Sequence, residues 1–160
     1  LAVSTVASAV AACAKTVEPV GVLIADHIAG AGLAHLDETG FRTAGACHWL
    51  HSACTPDAVF LTVHRKRGVE AIDAAGILPR FTGAAVHDAW APYDTYRKAV
   101  HLLCSAHILR ELIAVTETAK GRTKKMAEQA ATALRELKKA ADAARERGWQ
   151  ATSCPGRRWR

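Results

Sequence analysis

The stretch Gly32-Leu33-Ala34-His35-Leu36-Asp37 has a counterpart in Gly83-Ala84-Ala85-Val86-His87-Asp88, and these two runs determine the predicted fold. Each is a short apolar run that begins with a glycine and ends at an aspartate, a pattern typical of a buried strand. A buried carboxylate at a strand exit is costly unless it is paired, hydrogen-bonded or bound to a metal. If the strands are neighbours, Asp37 and Asp88 can share one cation, as in a magnesium-dependent phosphoryl-transfer site. The alternative is that each aspartate caps the turn or helix that follows it.

Composition indicates one globular domain with an anionic partner. The chain has 160 residues, of which half are apolar, enough for a single hydrophobic core. The formal net charge of +6 favours an anionic partner, nucleic acid foremost, although several basic residues lie in the last twelve positions. Five dispersed cysteines without a CxxC pair predict a reducing, cytoplasmic environment rather than a disulfide framework.

The residue pattern of the N-terminal region, residues 1–31, predicts helical structure and no membrane-spanning segment. Pro19 and Gly21 interrupt its apolar spacing, so two short helical pieces are expected. Neither piece has the length of a membrane-spanning helix. No basic region precedes the run Ala9–Cys13 and the chain does not begin with Met, so we expect no signal peptide and a start inside a longer protein.

Short strands dominate residues 32–120. Gly40 and Gly45 predict one connection and Thr55-Pro56-Asp57 the next, and connections this short favour antiparallel neighbours. The predicted strands are 33–37, 47–53, 59–63, a strand into Asp88, and 101–104. The predicted helical segments are 68–75, 93–98 and 105–118.

A long amphipathic helix, 121–148, and an irregular basic tail, 149–160, complete the predicted organisation. The helix carries basic and acidic residues together on its polar face, which favours a solvated surface. Its predicted apolar stripe comprises Met126, Ala130, Ala133, Leu134, Leu137 and Ala141. The tail has no periodicity and is expected to protrude with few contacts.

This order of elements predicts an α/β fold with a ribonuclease H-like sheet. The sheet would have five strands, three antiparallel strands followed by parallel ones, with flanking helices and a long C-terminal helix. In that fold the first and fourth strands lie side by side, which would bring Asp37 and Asp88 together.

Six segments resemble, in order, the central domain of bacterial transposases of insertion-sequence family sixty-six. The resemblance covers roughly residues 30 to 147, and six matches in the right order are far more specific than any one motif. The segments are His35–Arg42, His48–His51, His64–Gly68, Gly76–Pro79, Val86–Tyr93 and Leu103–Leu112.

The resemblance implies an Asp-Asp-Glu transposase that nicks the ends of its mobile element and joins them to target DNA. Asp37 and Asp88 match the first two catalytic carboxylates, which would hold two Mg²⁺ (or Mn²⁺) ions. The implied partners are element and target DNA and other transposase subunits, with no membrane and no small-molecule cofactor.

The third carboxylate of the family lies in an Asn-x-x-Glu-Arg segment, and this chain contains no asparagine. The tail after Gly148 looks unlike the family and like a shifted reading frame. We therefore expect a truncated or decayed transposase that is inactive alone. Glu111, one helical turn beyond His107, is a possible substitute third acid; its alternative is an ion pair with Arg110 or a neighbouring lysine.

Two further groups are candidate supporting residues. Cys104-x-x-His107 has the spacing of half a zinc site, and similar pairs in Asp-Asp-Glu transposases imply a role near the active site for Cys104 and His107, with Arg110 beside them. Simple packing is the alternative for that pair. The cluster Arg65-Lys66-Arg67 at a strand exit can hold DNA phosphates, or it is a solvated loop.

Two other functions remain open from the sequence. One is a non-catalytic DNA-binding or oligomerising module that interferes with an intact transposase. The other is an unrelated metal-dependent nuclease or phosphatase built on two aspartates.

Overall fold

The longest strand, β1 (Leu33–Thr43), is the centre of a five-stranded sheet. The other strands are β2 (Ala46–Cys54), β3 (Val59–His64), β4 (Ala84–His87) and β5 (Val100–Leu103). The spatial order is β3-β2-β1-β4-β5, in which β1, β2 and β3 are antiparallel and β4 and β5 run parallel to β1. The predicted ribonuclease H-like sheet, with β1 beside β4, is therefore confirmed. The computed structural model describes residues 2–148, so the prediction of a protruding tail at 149–160 lies outside the described residues.

Two backbone features set the register of this sheet. A two-residue turn at Ala44 and Gly45, both with positive φ, joins β1 to β2, which is the geometry that matches strand twist. Gly83 lies against the start of β1, where an added Cβ would meet Ala31 O at 2.5 Å. From there Ala84 N donates to Gly32 O at 2.9 Å, which begins the parallel pairing.

The first strand is longer than the sequence predicted. It continues past Asp37 to Thr43 because its polar residues stay paired with β2, and Gly40 lies opposite Trp49 inside the ladder. The predicted connection at Gly40 is therefore wrong, whereas the turn at Gly45 is correct. The turn at Thr55 is also correct, and Thr55 N donates to Ala58 O at 2.9 Å there.

Helix α1 (Val3–Ala29) corrects the prediction of two short pieces. It passes through Pro19 and Gly21 without ending, so two apolar segments become one helix of 27 residues. By length and composition alone it is long and apolar enough to cross a membrane, so the expectation that no segment has that length is wrong. Its last turns pack on the sheet, where Ala25 and Ile28 are buried.

The chain divides into two compact units between Cys104 and Ser105. In the first, helix α2 (Val69–Ala75) and two 3₁₀ turns, Leu78–Arg80 and Ala91–Thr95, cover one face of the sheet. The largest fully buried side chains of the described residues are Tyr93, Phe81, Ile28, Ile77 and Leu78. The second unit is a helical hairpin of α3 (Ser105–Thr118) and α4 (Gly121–Glu146). This division falls earlier than the predicted end of the core at residue 120, because α3 packs along α4.

Candidate active site

The two aspartates lie at the same level of neighbouring parallel strands. The register pairs His35 of β1 with Val86 of β4, and Asp37 and Asp88 each follow two residues later. Asp88 comes directly after β4, as predicted, whereas Asp37 lies within β1 and not at its end. It stands just past the last β1–β4 pair, where β1 continues only with β2. Both carboxylates therefore lie where the parallel part of the sheet ends.

Each aspartate also accepts a backbone hydrogen bond. Trp90 N donates to Asp88 Oδ1 at 2.9 Å, and Glu38 N donates to Asp37 Oδ1 at 3.0 Å. The first of these is the turn cap that the alternative interpretation expected. Capping uses one carboxylate oxygen of Asp88, so the capping role and a metal-binding role are compatible at that residue.

Glu38 is a buried carboxylate that the sequence did not single out. Side chains alternate along a strand, so Glu38 faces the core beside Ala34 and Leu36, opposite to Asp37. Its side chain is 0% exposed. Tyr93 Oη donates to Glu38 Oε2 at 2.5 Å, Arg67 Nε donates to Oε1 at 2.8 Å, and Arg67 Nη2 forms an ion pair with Oε1 at 2.7 Å. A carboxylate buried to this degree is stable only with such partners.

Arg67 links Glu38 to Asp88. Its Nη2 lies 3.5 Å from Asp88 Oδ2, and its guanidinium carbon lies 3.9 Å from the ring centroid of Trp90 and 5.1 Å from that of Trp49. A planar guanidinium suits this arrangement, since it stacks on aromatic faces while its edge donates to carboxylates. This position of Arg67 differs from the solvated loop that the sequence left open, and its predicted phosphate contact stays a prediction.

Tyr93 experiences the charge of all three carboxylates. Burial is the largest cause that raises the pKa of Tyr93 far above its ordinary value of 10.0. The hydrogen bond to Glu38 and the negative charges of Glu38, Asp88 and Asp37 raise the pKa of Tyr93 further. The phenol therefore stays protonated and donates its hydrogen bond to Glu38.

Two histidines support the backbone at Asp88. The buried His87 ring stacks on Tyr93 with centroids 4.2 Å apart, and its Nδ1 contacts the carbonyl oxygen of Asp88. Its Nε2 lies 2.8 Å from His101 Nδ1, and His101 Nε2 lies 3.1 Å from the carbonyl oxygen of Tyr96. This chain of rings fixes the backbone from which the Asp88 side chain extends.

The donor chemistry at Asp37 and Asp88 suits a hard divalent cation. Carboxylate oxygens are the ligands that Mg²⁺ and Mn²⁺ prefer, and Mg²⁺ is commonly held by one or two carboxylates with waters and substrate phosphates. Among residues 2–148, no three His, Cys, Asp or Glu side chains group closely enough to hold a metal ion. The described residues therefore contain no ready-made cluster of three such ligands.

The remaining predicted site residues lie in less specialised surroundings. Arg65 is exposed, and Lys66 Nζ pairs with Glu70 Oε2 at 2.5 Å on the surface. Cys104 N donates to the carbonyl oxygen of His87 at 2.8 Å, directly after β5. Three further residues lie on α3, His107 partly buried and Arg110 and Glu111 exposed. The predicted roles of all these residues stay predictions.

Comparison with curated proteins found no match. The family model described as Transposase IS66 family matches residues 1–158. The match extends beyond the 30–147 estimated from motifs, and it includes most of the tail that looked unlike the family.

Two solved structures illustrate what this chain is similar to. The HTLV-2 integrase catalytic core domain in complex with magnesium (dimeric form) has a TM-score of 0.37 and 13% identity, over 59% of this chain and 81% of that one. A simian T-cell lymphotropic virus intasome in complex with PP2A regulatory subunit B56 gamma has a TM-score of 0.36 and 12% identity, over 59% of this chain and 46% of that one. Both similarities are low, so the assignment of this chain rests on the family match.

Proposed function

Because this chain belongs to the IS66 transposase family, we propose that Asp37 and Asp88 are the first two carboxylates of a DNA strand-transfer site. The observation that carries the proposal is their placement at one level of two adjacent parallel strands, β1 and β4. The buried pairing of Glu38 with Arg67 supports it, since it holds a rigid polar network beside Asp88. The substrates on this proposal are the element ends and target DNA.

The chain's own residues hold and orient the reacting groups. Asp37 and Asp88 are the proposed ligands of two Mg²⁺ or Mn²⁺ ions. When bound, such ions would activate a water or a DNA 3′-hydroxyl and stabilise the leaving oxygen. Trp90 N and the ring of His87 fix the backbone and one oxygen of Asp88. Arg65 and Lys66 are the proposed phosphate contacts.

We expect these 160 residues by themselves to bind the cation weakly and not to join DNA. Two carboxylates leave the site one negative charge short of a three-carboxylate centre, and waters do not supply that charge. The test is incubation of the purified chain with Mg²⁺ or Mn²⁺ and linear DNA carrying the element ends. The expected result is no nicked or joined product.

A second experiment is one in which activity is expected to appear. The chain extended by a family relative's Asn-x-x-Glu-Arg segment should gain metal-dependent nicking, and Asp37→Ala should abolish it. Metal-dependent joining by the 160 residues alone would contradict the expected inactivity, and Glu111→Gln would then test the substitute acid. Failure of the extended chain to bind metal or cut DNA would contradict the proposed site.

A non-catalytic DNA-binding module is the second candidate. The net charge of +6 favours it, together with exposed basic residues of α4 such as Lys124, Lys125 and Arg135. If this alternative is correct, the chain binds duplex DNA in a gel-mobility-shift assay, and the binding weakens strongly as salt is added. The variants Asp37→Asn and Asp88→Asn should then bind both DNA and the cation as wild type does.

A further inference from the structure

The positions of Glu38 and Arg67 support an inference about the charge at Asp88, and this inference rests on the proposed function. A single guanidinium lies between two carboxylates, and its Nη2 is closer to Glu38 Oε1, at 2.7 Å, than to Asp88 Oδ2, at 3.5 Å. Glu38 accepts a hydrogen bond from Nε at 2.8 Å and forms a close ion pair with Nη2, whereas Asp88 accepts one long hydrogen bond from Nη2. The charge of Arg67 is therefore directed mainly to Glu38.

Burial reinforces this preference. Glu38 has a side chain that is 0% exposed, whereas the Asp88 side chain is 26% exposed and partly solvated. A buried ion has no water to replace a lost partner, so Glu38 holds Arg67 more strongly than Asp88 does. The rings of Trp90 and Trp49 restrict the guanidinium further.

We propose that Glu38 is a positioning residue that binds Arg67 and thereby keeps the negative charge of Asp88 available to a divalent cation. Without the carboxylate of Glu38, the guanidinium would move the short distance to Asp88 and compete with the cation there. Glu38 itself is not a proposed ligand of the cation, since its two oxygens already accept from Arg67 and Tyr93.

This role can be tested by comparing Mn²⁺ binding to wild type, to Glu38→Gln and to the double variant Glu38→Gln/Arg67→Gln. Each protein is titrated with Mn²⁺ alone, and the free ion is measured by electron paramagnetic resonance. Glu38→Gln preserves side-chain shape, since its oxygen accepts from Arg67 and its amide donates to Tyr93 Oη. It should weaken Mn²⁺ binding about tenfold, the order expected for one added positive charge in a partly buried site. Glu38→Gln/Arg67→Gln restores the charge balance and should return the affinity to within about threefold of wild type.

The double variant separates this role from simple structural support. If Glu38 only supports the fold, removal of Arg67 as well loses further contacts, and the double variant binds as weakly as Glu38→Gln or more weakly. That result, or a Glu38→Gln variant with unchanged affinity, would overturn the inference. Glu18→Gln is the matched control, because it removes one exposed carboxylate of α1 and should leave binding unchanged. Thermal unfolding confirms that each variant is folded.

Asp37→Asn distinguishes failure of this inference from failure of the proposed function. If Asp37→Asn binds Mn²⁺ as tightly as wild type, the proposed metal site is wrong and this inference is overturned with it. If Asp37→Asn weakens binding while Glu38→Gln does not, the metal site stands and only the role of Glu38 is overturned.

Discussion

At the scale of single residues, Glu38 shows how much one position along a strand determines. Asp37 and Glu38 are consecutive acids, yet strand alternation exposes the first and buries the second completely. The sequence identified Asp37 and Asp88 because each closes an apolar run. It did not identify Glu38, since its partners Arg67 and Tyr93 lie 29 and 55 positions away. The available signal was an acidic residue in phase with the apolar Ala34 and Leu36, which are buried and partly buried.

Tyr93 leads to a prediction about alkaline stability. Its pKa is raised in the folded state above the ordinary value of 10.0, so its contribution to stability is fully present below pH 10. As the pH rises above 10 the unfolded chain loses its phenolic proton first, and that contribution is lost. Wild type should therefore lose free energy of unfolding between pH 8 and pH 11, and Tyr93→Phe should lose less.

Urea unfolding at the two pH values measures this difference. At pH 8, Tyr93→Phe should cost about 1–2 kcal/mol, because Glu38 loses one buried hydrogen bond. Burial also raises the pKa of Tyr96, so Tyr96→Phe serves as a comparison with a partly exposed partner, Asp73. If wild type and Tyr93→Phe lose the same free energy of unfolding between pH 8 and pH 11, the predicted contribution of the Tyr93 pKa to stability is wrong.

At the scale of elements, local patterns predicted the strands better than their lengths. Apolar runs located all five strands, but β1 continues to Thr43 because pairing with β2 outweighs its polar composition. In the same way, α1 continues through Pro19, which local propensity treats as an interruption. On α4 the buried residues are Ala127 and Ala131, whereas Met126 and Leu137 of the predicted stripe are exposed. Small residues allow close approach to α3, which hydrophobicity alone did not indicate.

Gly83 leads to a prediction about the β1–β4 junction. An alanine Cβ there would lie 2.5 Å from Ala31 O and 2.7 Å from Gly32 O, and both neighbours are backbone atoms that cannot rotate away. Gly83→Ala should therefore destabilise the fold by about 1–3 kcal/mol and shift the register that aligns Asp37 with Asp88. Chemical denaturation measures the first effect, and Mn²⁺ titration measures the second as weaker binding.

Gly32→Ala is the matched control for that change. An alanine Cβ at Gly32 would meet no atom within 4 Å, and the two glycines are adjacent across the same junction. Its effect on stability should stay within about 0.5 kcal/mol. Equal effects of the two substitutions would show that the close approach at Gly83 does not constrain the strands.

At the scale of the whole molecule, the strand order was inferred from the fold that the order of elements matches and not from spacing. Short connections predicted the antiparallel β1–β2–β3 meander, because hairpin turns join neighbours directly. No local signal placed β4 beside β1 across an intervening helix, and the likeness of the element order to a ribonuclease H-like sheet supplied that adjacency. The sheet order confirms it. The internal network of Glu38, Arg67 and Tyr93 follows from this long-range arrangement, so it could not be predicted from local sequence.

The central claim is that Asp37 and Asp88 bind a cation together. Calorimetric titration of the wild-type chain with Mn²⁺ tests it directly, beside Asp37→Asn, Asp88→Asn and the double variant. Two carboxylates on one cation are coupled, so each single variant should lose most of the binding and the double variant little more. Full binding by either single variant, or independent losses that add in the double variant, would contradict a shared site.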